Sequence, residues 1–133
     1  MRLLLISLSA LIAASCGGGG GGSSSTPTPV QVANRAPVLA DPGALTLLEG
    51  TTSVATISAS DPDNNSLIFT ISSGDDQAFF SITPSGLISF SAAPDFETPG
   101  DVGSDNVYDL IVQVSDGTLT DTQSISITIS DAF

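Results

Sequence analysis

Residues 106–130 read NVYDLIVQVSDGTLTDTQSISITIS and carry the clearest structural signal in the chain. Apolar residues occupy every second position in 108–114 and again in 125–129. A period of two puts alternate side chains on one face of a β-strand, and the pair Asp116-Gly117 between the runs is typical of a tight turn. We therefore predict two long strands here, at 106–115 and 118–130.

Five shorter β-patterned runs precede this pair, and turn signals such as Asp61-Pro62-Asp63 separate them. No segment after residue 34 shows a sustained helical period. Seven strands with one apolar face each predict an all-β domain, a seven-stranded Greek-key β-sandwich. The five earlier strands are predicted at 44–49, 53–60, 66–73, 79–82 and 87–90.

The composition excludes several classes of function. The 133 residues include 14 acidic and 2 basic side chains, for a formal net charge of -12. Such a surface repels nucleic acid and anionic lipid headgroups, which bind through cationic side chains. The chain has no His, which excludes Ser-His-Asp and Cys-His catalysis and most zinc sites. Asp95 and Glu97 form a carboxylate pair of the kind glycosidases use, but no inserted segment could form a substrate cleft. We predict that the protein is not an enzyme.

The first 15 residues predict export. Arg2 precedes an apolar run, 3–14, that is too short to span a bilayer, so residues 1–15 are predicted to be a secretory signal peptide. Cys16 follows Ala13-Ala14-Ser15, a stretch similar to the lipobox of bacterial lipoproteins, although Ala13 replaces the usual Leu. The alternative is simple cleavage that leaves a free thiol, since a lone Cys cannot form an internal disulfide. We predict lipidation of Cys16.

Residues 16–33 are predicted to be the lipidated Cys and a linker. Six consecutive glycines, 17–22, are followed by Ser, Thr and Pro, a composition typical of a flexible tether with a stiffer end. The predicted location is therefore outside the cytoplasm, lipid-anchored to the outer membrane or cell surface of a bacterium. The membrane is expected to be a partner only through this anchor.

Acidic residues recur at the predicted strand ends. Asp61 and Asp63 lie two apart in a turn, and Asp116 ends a core-facing row where a lone carboxylate needs a donor or a cation. Clusters of oxygen ligands suit Ca²⁺, while Mg²⁺ demands a stricter octahedron. Spacing alone leaves a metal-binding and a metal-free interpretation open.

Five motifs resemble those of cadherin repeats in order and spacing, and together they cover residues 34–131. The stretch 59–63 is similar to A-x-D-x-D, and 108–117 is similar to Y-x-L-x-V-x-A-x-D-x-G with Val114 in place of Ala. Asp95-Phe96-Glu97 resembles D-R-E with Phe replacing Arg. The other two are Leu48-Glu49-Gly50, where the first-strand glutamate occurs, and Asn34-Arg35-Ala36-Pro37-Val38, which resembles the end of the linker motif.

The resemblance implies a bacterial cadherin-like domain at 34–131, with a cadherin/immunoglobulin-like sandwich and Ca²⁺ as its cofactor. It implies two half-sites for the metal. The first, here the N-terminal acidic cluster, contains Asp61, Asp63 and Asp116 and meets Asn34 of the incoming linker. The second, here the C-terminal acidic cluster, contains Glu49, Asp95 and Glu97 and meets Asp131 of the outgoing linker.

The resemblance has two departures. The incoming linker has Val32-Ala33 where acidic ligands are expected, and the sequence stops at Phe133 with no second repeat. We expect weak Ca²⁺ affinity at incomplete sites, a partner molecule that completes the sites, or a longer repeat protein of which this chain is a piece. The remaining acids are expected to be solvated loop or strand-face residues: Asp41, Asp75, Asp76, Asp101, Asp105, Asp109 and Asp121.

The function implied is that of a calcium-binding cell-surface lipoprotein in cell adhesion or protein interaction, homophilic by family. Its expected partners are other surface proteins or a like domain in trans, and not nucleic acid. The alternative is a metal-free structural spacer or a carbohydrate-binding β-sandwich. Sugar binding usually needs exposed aromatic rings, and the strand period turns Tyr108 inward.

Overall fold

The computed structural model describes residue 27 and residues 29–133. The predicted signal peptide, 1–15, and Cys16 lie outside these residues, as does most of the predicted linker. In the described part of the chain, no helix has the length and apolar character needed to cross a membrane. Residues 33–133 form the unit described below.

The described residues contain nine β-strands and one short 3-10 turn, Gln77–Phe79, which confirms the prediction of an all-β domain. The strands are β1 (Val38–Leu39), β2 (Leu45–Leu48), β3 (Ser53–Thr56), β4 (Ala59–Ser60), β5 (Ile68–Ser73), β6 (Phe80–Ile82), β7 (Leu87–Phe90), β8 (Val107–Ser115) and β9 (Thr120–Ser130).

The strands form a four-stranded sheet, a three-stranded sheet and a small two-stranded pair. The four-stranded sheet has the order β2-β9-β8-β5, the three-stranded sheet has the order β3-β7-β6, and β1 pairs with β4. Strand β2 runs parallel to β9, whereas β8 is antiparallel to both of its neighbours. The ends of β2 and β9 therefore meet at one end of the domain, which is also where β8 begins.

The core lies between the faces that the sequence period predicts. In β8, Leu110, Val112 and Val114 are at most 1% exposed, and the inward isoleucines of β9 are at most 2% exposed. Tyr108 is the centre of an aromatic group, with its ring centroid 5.0 Å from that of Phe90 and 6.0 Å from that of Phe80, both nearly perpendicular to it. Edge-to-face contacts of this kind add to the apolar burial of the rings.

The predicted strand 53–60 is two strands in different sheets. Strand β3 pairs with β7, and the amide of Ile57 still donates to the carbonyl of Gly86 at 2.9 Å. From Ser58 onward the partner is the incoming segment, since Ser58 accepts from the amide of Ala40 and β4 pairs with β1. The alternation of side chains is continuous through this change, so the sequence period did not reveal it. This split adds one strand to the seven predicted, and β1, which was not predicted, is the ninth.

Two acids expected to be solvated are buried. Asp76 is 2% exposed and Asp101 is 4% exposed. Asp101 accepts from the amides of Asp105 at 3.0 Å and Asn106 at 3.0 Å. Burial by itself raises the pKa of Asp101, but the amides of Asp105 and Asn106 favour the charged form and hold this pKa below its usual value. The expectation for Asp76 and Asp101 was wrong because backbone amides, rather than water, solvate these carboxylates.

Candidate functional site

The C-terminal acidic cluster is assembled by the parallel pairing of β2 and β9. Glu49 directly follows β2 and Asp131 directly follows β9. Their strands are in register at Leu48 and Ser130, and the amide of Glu49 donates to the carbonyl of Ser130 at 3.0 Å. The two acids therefore leave the sheet side by side.

Glu97 reaches the same place from the loop between β7 and β8. Glu49, Glu97 and Asp131 each offer a carboxylate oxygen, and these oxygens lie within 4.8 Å of one another. Glu49 is half-buried and holds the loop, because its carboxylate accepts from the amide of Phe96 at 2.9 Å and from that of Ala132 at 3.2 Å. Each of its oxygens keeps a second lone pair for another ligand.

The crowding of these acids is visible in the pKa of Glu97, which is raised above its usual value. Its own backbone amide acts in the lowering direction. Burial and the nearby carboxylates of Glu49 and Asp131 outweigh that amide. This end of the domain therefore concentrates negative charge.

Asp95 lies in the same loop but has a different contact. Its Oδ1 accepts from the amides of Glu97 at 3.0 Å and Thr98 at 3.2 Å, which closes a local turn. Among the described residues, Asp95 is not one of the three acids whose oxygens converge.

The C-terminal acidic cluster passes a simple test of fit to Ca²⁺. Calcium takes 6–8 oxygens at about 2.3–2.6 Å, so two ligands on opposite sides of the ion are about 5 Å apart. Three oxygens no more than 4.8 Å apart lie within that limit, so all three could contact one ion. The carboxylates of Glu49, Glu97 and Asp131 supply up to six oxygens, and backbone carbonyls and water usually supply the remaining ligands.

The N-terminal acidic cluster is at the other end of β8. Asp116 directly follows β8, and the turn with Asp61 and Asp63 directly follows β4. The incoming segment leads into β1, which pairs with β4, so Asn34 and Arg35 arrive beside both acidic turns.

Arg35 is bound to Asp63 by a forked contact. Its Nε and one terminal nitrogen donate to Asp63 Oδ1 at 3.1 and 2.8 Å, and its backbone amide donates to Asp63 Oδ2 at 2.6 Å. The same terminal nitrogen donates to the carbonyl of Pro62 at 2.9 Å. These donors hold the pKa of Asp63 below its usual value, although burial and the charge of Asp116 oppose them.

Asp116 and Asn34 form the second contact at this end. Asp116 Oδ1 accepts from the amides of Thr118 and Leu119, both at 2.7 Å, and Oδ2 accepts from the Asn34 side chain at 2.8 Å. The amides of Leu119 and Thr118 lower the pKa of Asp116, with a smaller contribution from Asn34. The side-chain oxygen of Asn34, Oδ1, in turn accepts from the side-chain amide of Asn65 at 2.8 Å.

Asp61 has one engaged and one free oxygen. Its Oδ1 accepts from the amides of Asp63 at 2.7 Å and Asn65 at 3.2 Å. Its Oδ2 is buried and has no hydrogen-bond partner among the described residues. The other carboxylate oxygens of this cluster are engaged by Arg35, Asn34 and backbone amides. By the count applied to Glu49, one oxygen of each acid (Asp61 Oδ2, Asp63 Oδ2 and Asp116 Oδ2) still keeps a lone pair for another ligand. Arg35 and Asn34 would compete with a metal at two of these acids, and Ca²⁺ at the N-terminal acidic cluster stays a prediction of the resemblance.

Sequence reasoning missed two residues at this end. Arg35 was part of the predicted linker motif but was not assigned to Asp63, and Asn65 was not singled out. A signal for Arg35 was available. It is the only cation beyond residue 2, and it stands next to a segment that the resemblance brings to an acidic turn.

The comparisons with known proteins agree with the fold. Among solved structures, human protocadherin-24 EC1-2 matches with a TM-score of 0.62 and 23% identity, over 74% of this chain and 44% of that one. Drosophila N-cadherin EC1-3 matches with a TM-score of 0.62 and 22% identity, over 74% of this chain and 35% of that one. The chain thus spans less than half of either structure. No curated protein matched the sequence.

A protein-family model gives the more direct assignment. The model described as a bacterial Ig domain, Big_9, matches residues 34–128, which is most of the chain and nearly all of the described residues. The cadherin structures and this model agree on a cadherin/immunoglobulin-like sandwich. The chain therefore belongs to the bacterial Ig domain family.

Proposed function

We propose that this protein is an exported surface lipoprotein whose bacterial Ig domain acts in adhesion or protein interaction and binds Ca²⁺ through Glu49, Glu97 and Asp131. The observation that carries the proposal is the convergence of these three carboxylates at one end of the sandwich. The cadherin-like fold suggests adhesion or interaction, and Ig and cadherin-like domains are typically non-enzymatic modules. The predicted signal peptide and Cys16 support export and anchoring.

Bound at this end, Ca²⁺ would neutralise the repelling carboxylates and join three separate chain segments. Glu49 would contribute the end of β2, Asp131 the end of β9, and Glu97 the loop before β8. Asp95 would hold that loop in shape through its turn. Ligand roles for Asn34, Asp61, Asp63, Asp95 and Asp116 stay predictions of the resemblance.

The first prediction is a calcium-dependent melting temperature. Extracellular calcium modules bind with dissociation constants of about 10⁻⁴–10⁻³ M, so about 10 mM Ca²⁺ should raise the melting temperature by about 5–15 °C. The variant E49Q/E97Q/D131N should melt at the same temperature with Ca²⁺ and with EDTA. Differential scanning calorimetry of both proteins measures this. Mg²⁺ at equal concentration should shift the unaltered protein much less, because it demands a stricter octahedron.

The control variant is D41N/D75N/D109N, which removes the same number of negative charges from exposed positions. It should keep the full calcium response. Loss of the response in this control would mean that bulk charge screening, and not a site, causes the effect. If Ca²⁺ does not change the melting temperature of the unaltered protein, Ca²⁺ binding is refuted and a metal-free spacer is favoured.

The second prediction concerns adhesion. Beads coated with the chain through its single thiol, Cys16, present the domain in one orientation, as the predicted anchor would. If a like domain is the partner in trans, the beads should aggregate in Ca²⁺ and disperse in EDTA, as followed by turbidity. Beads carrying E49Q/E97Q/D131N should stay dispersed. Dispersed beads under all conditions would leave a different surface protein as the partner and would refute homophilic adhesion.

A further inference from the structure

The two acidic clusters differ in whether a positive side chain balances their negative charge. At the C-terminal acidic cluster, three carboxylates converge and the pKa of Glu97 is raised by its neighbours. At the N-terminal acidic cluster, a guanidinium from the chain itself lies against Asp63. Arg35 is the sole Arg or Lys beyond residue 2, so the chain places its one available cation at this end.

The contact between Arg35 and Asp63 holds the incoming segment in place. Arg35 makes a two-nitrogen fork to one oxygen of Asp63 and a backbone hydrogen bond to the other, so both the side chain and the main chain of the incoming segment are fixed. Three donors from one residue to a single carboxylate restrict its orientation more than a single ion pair would. The Arg35 side chain is 58% exposed and that of Asp63 is 21% exposed, so their contact lies at the surface.

Neighbouring contacts reinforce the same attachment. Asn34 joins the segment to Asp116 and to Asn65, and Pro37, two residues after Arg35, is fully buried. Four consecutive residues, 34–37, therefore contain three that are fixed to the domain by side-chain or core contacts. A divalent ion at this end would compete with the Arg35 guanidinium for Asp63 and with the Asn34 side chain for Asp116.

We propose that Arg35 is a built-in cation that fastens the incoming segment to the N-terminal acidic cluster without metal. The incoming junction of the domain is then fixed whether or not calcium is present. This inference does not depend on calcium binding at the opposite end, which is tested separately by the melting temperature of the E49Q/E97Q/D131N variant.

Trypsin provides a direct test, because it cleaves after Arg and Lys and needs the basic side chain in its own acidic pocket. Beyond residue 2, the sequence contains a single such site, the Arg35–Ala36 bond. Cleavage requires the Arg35–Asp63 contact to break, so the rate at which the 36–133 fragment appears reports on the strength of that contact. The full-length chain is digested well below its melting temperature, and the fragment is measured by mass spectrometry.

The key variant is Asp63→Asn, and the matched control is Asp75→Asn, which removes one charge from an exposed position elsewhere. We expect D63N to be cleaved at least about tenfold faster than D75N. Arg35→Lys keeps the charge and the tryptic site but loses the fork, so it should also be cleaved faster, even if D63N fails to fold. Each rate is divided by that of a free peptide of residues 30–40 carrying the same residue 35, which corrects for preferences of trypsin.

The unaltered protein should be cleaved at the same rate, within about twofold, in Ca²⁺ and in EDTA after this normalisation. The proposal is overturned if D63N and R35K are cleaved no faster than D75N. It is also overturned if protection of the unaltered protein requires Ca²⁺, since a metal and not Arg35 would then fasten the segment.

Discussion

Replacing Asp76 by alanine is expected to lower the free energy of unfolding by about 3–5 kcal/mol. Asp76 is 2% exposed and lies in the connection between β5 and β6. One of its oxygens accepts from the amide of Val102 at 2.8 Å and the other from the amide of Asp109 at 2.9 Å. Alanine leaves both amides without these acceptors, and hydrogen bonds to charged groups are costly to lose.

The effect is large because Asp76 joins three parts of the domain. Its backbone amide donates to the carbonyl of Asp109 in β8 at 3.1 Å, and its carboxylate also reaches the loop between β7 and β8 at Val102. Asparagine at position 76 retains the shape but offers a donor where an acceptor is needed, so Asp76→Asn should recover only part of the loss.

Urea unfolding followed by circular dichroism measures the change. The control is Asp75→Ala at the adjacent exposed position, where the expected change is within about 0.5 kcal/mol. Hydrogen exchange at the Val102 amide should also accelerate in D76A if the loop is released. A difference between D76A and D75A below about 1 kcal/mol would contradict the role assigned to Asp76.

The sequence period predicted the long strands well because burial enforces it. In β9, Ile125, Ile127 and Ile129 are nearly fully buried, while Ser126 and Thr128 between them are exposed. One-sided burial over many residues leaves a repeated signal, and a one-residue shift would expose the whole apolar row. This is why β8 and β9 were predicted to within one or two residues.

The period carries no information on which strand pairs with which. Strands β3 and β4 share one alternating pattern, yet they hydrogen-bond to β7 and β1 respectively. Pairing depends on backbone partners that are distant in sequence, and the side-chain pattern is the same with either partner. The two-residue strand β1 is also too short to show a period of its own.

Polar contacts were the hardest to predict from the residues alone. Acidic residues in turns are usually solvated, and Asp41 and Asp75 are exposed as expected. Asp76 and Asp101 are buried because loop amides point at them. The direction of an amide is a property of the folded backbone, so residue type could not separate the two groups. The partner of Arg35 was missed for a related reason, since the β1–β4 pairing brings it to Asp63.

Gly74 should be the least replaceable glycine described in the domain. Its φ is +124°, a conformation that L side chains rarely adopt. An added Cβ would lie 2.4 Å from the Cα of Leu110 and 2.7 Å from the carbonyl oxygen of Asp109. Both atoms belong to the backbone of β8, which is paired on both sides, so neither can move aside easily.

Gly74→Ala is therefore expected to lower the free energy of unfolding by about 4 kcal/mol or more. The chain after β5 must move away from β8, which strains the hydrogen bond between the Asp76 amide and the Asp109 carbonyl and the carboxylate contacts that follow it. The substitution thus combines backbone strain with the loss of the buried Asp76 contacts.

The matched control is Gly43→Ala, which isolates the backbone term. Gly43 also has a positive φ, +72°, but an added Cβ would meet nothing within 4 Å. It should cost only about 1–2 kcal/mol, the usual penalty for a left-handed alanine. Urea unfolding of both variants gives the comparison, and equal losses would show that the close approach to β8 is harmless. If G74A does not fold, Gly86→Ala serves instead, because its added Cβ would meet one carbonyl oxygen, that of Ile57, at 2.5 Å and should give a loss larger than that of G43A.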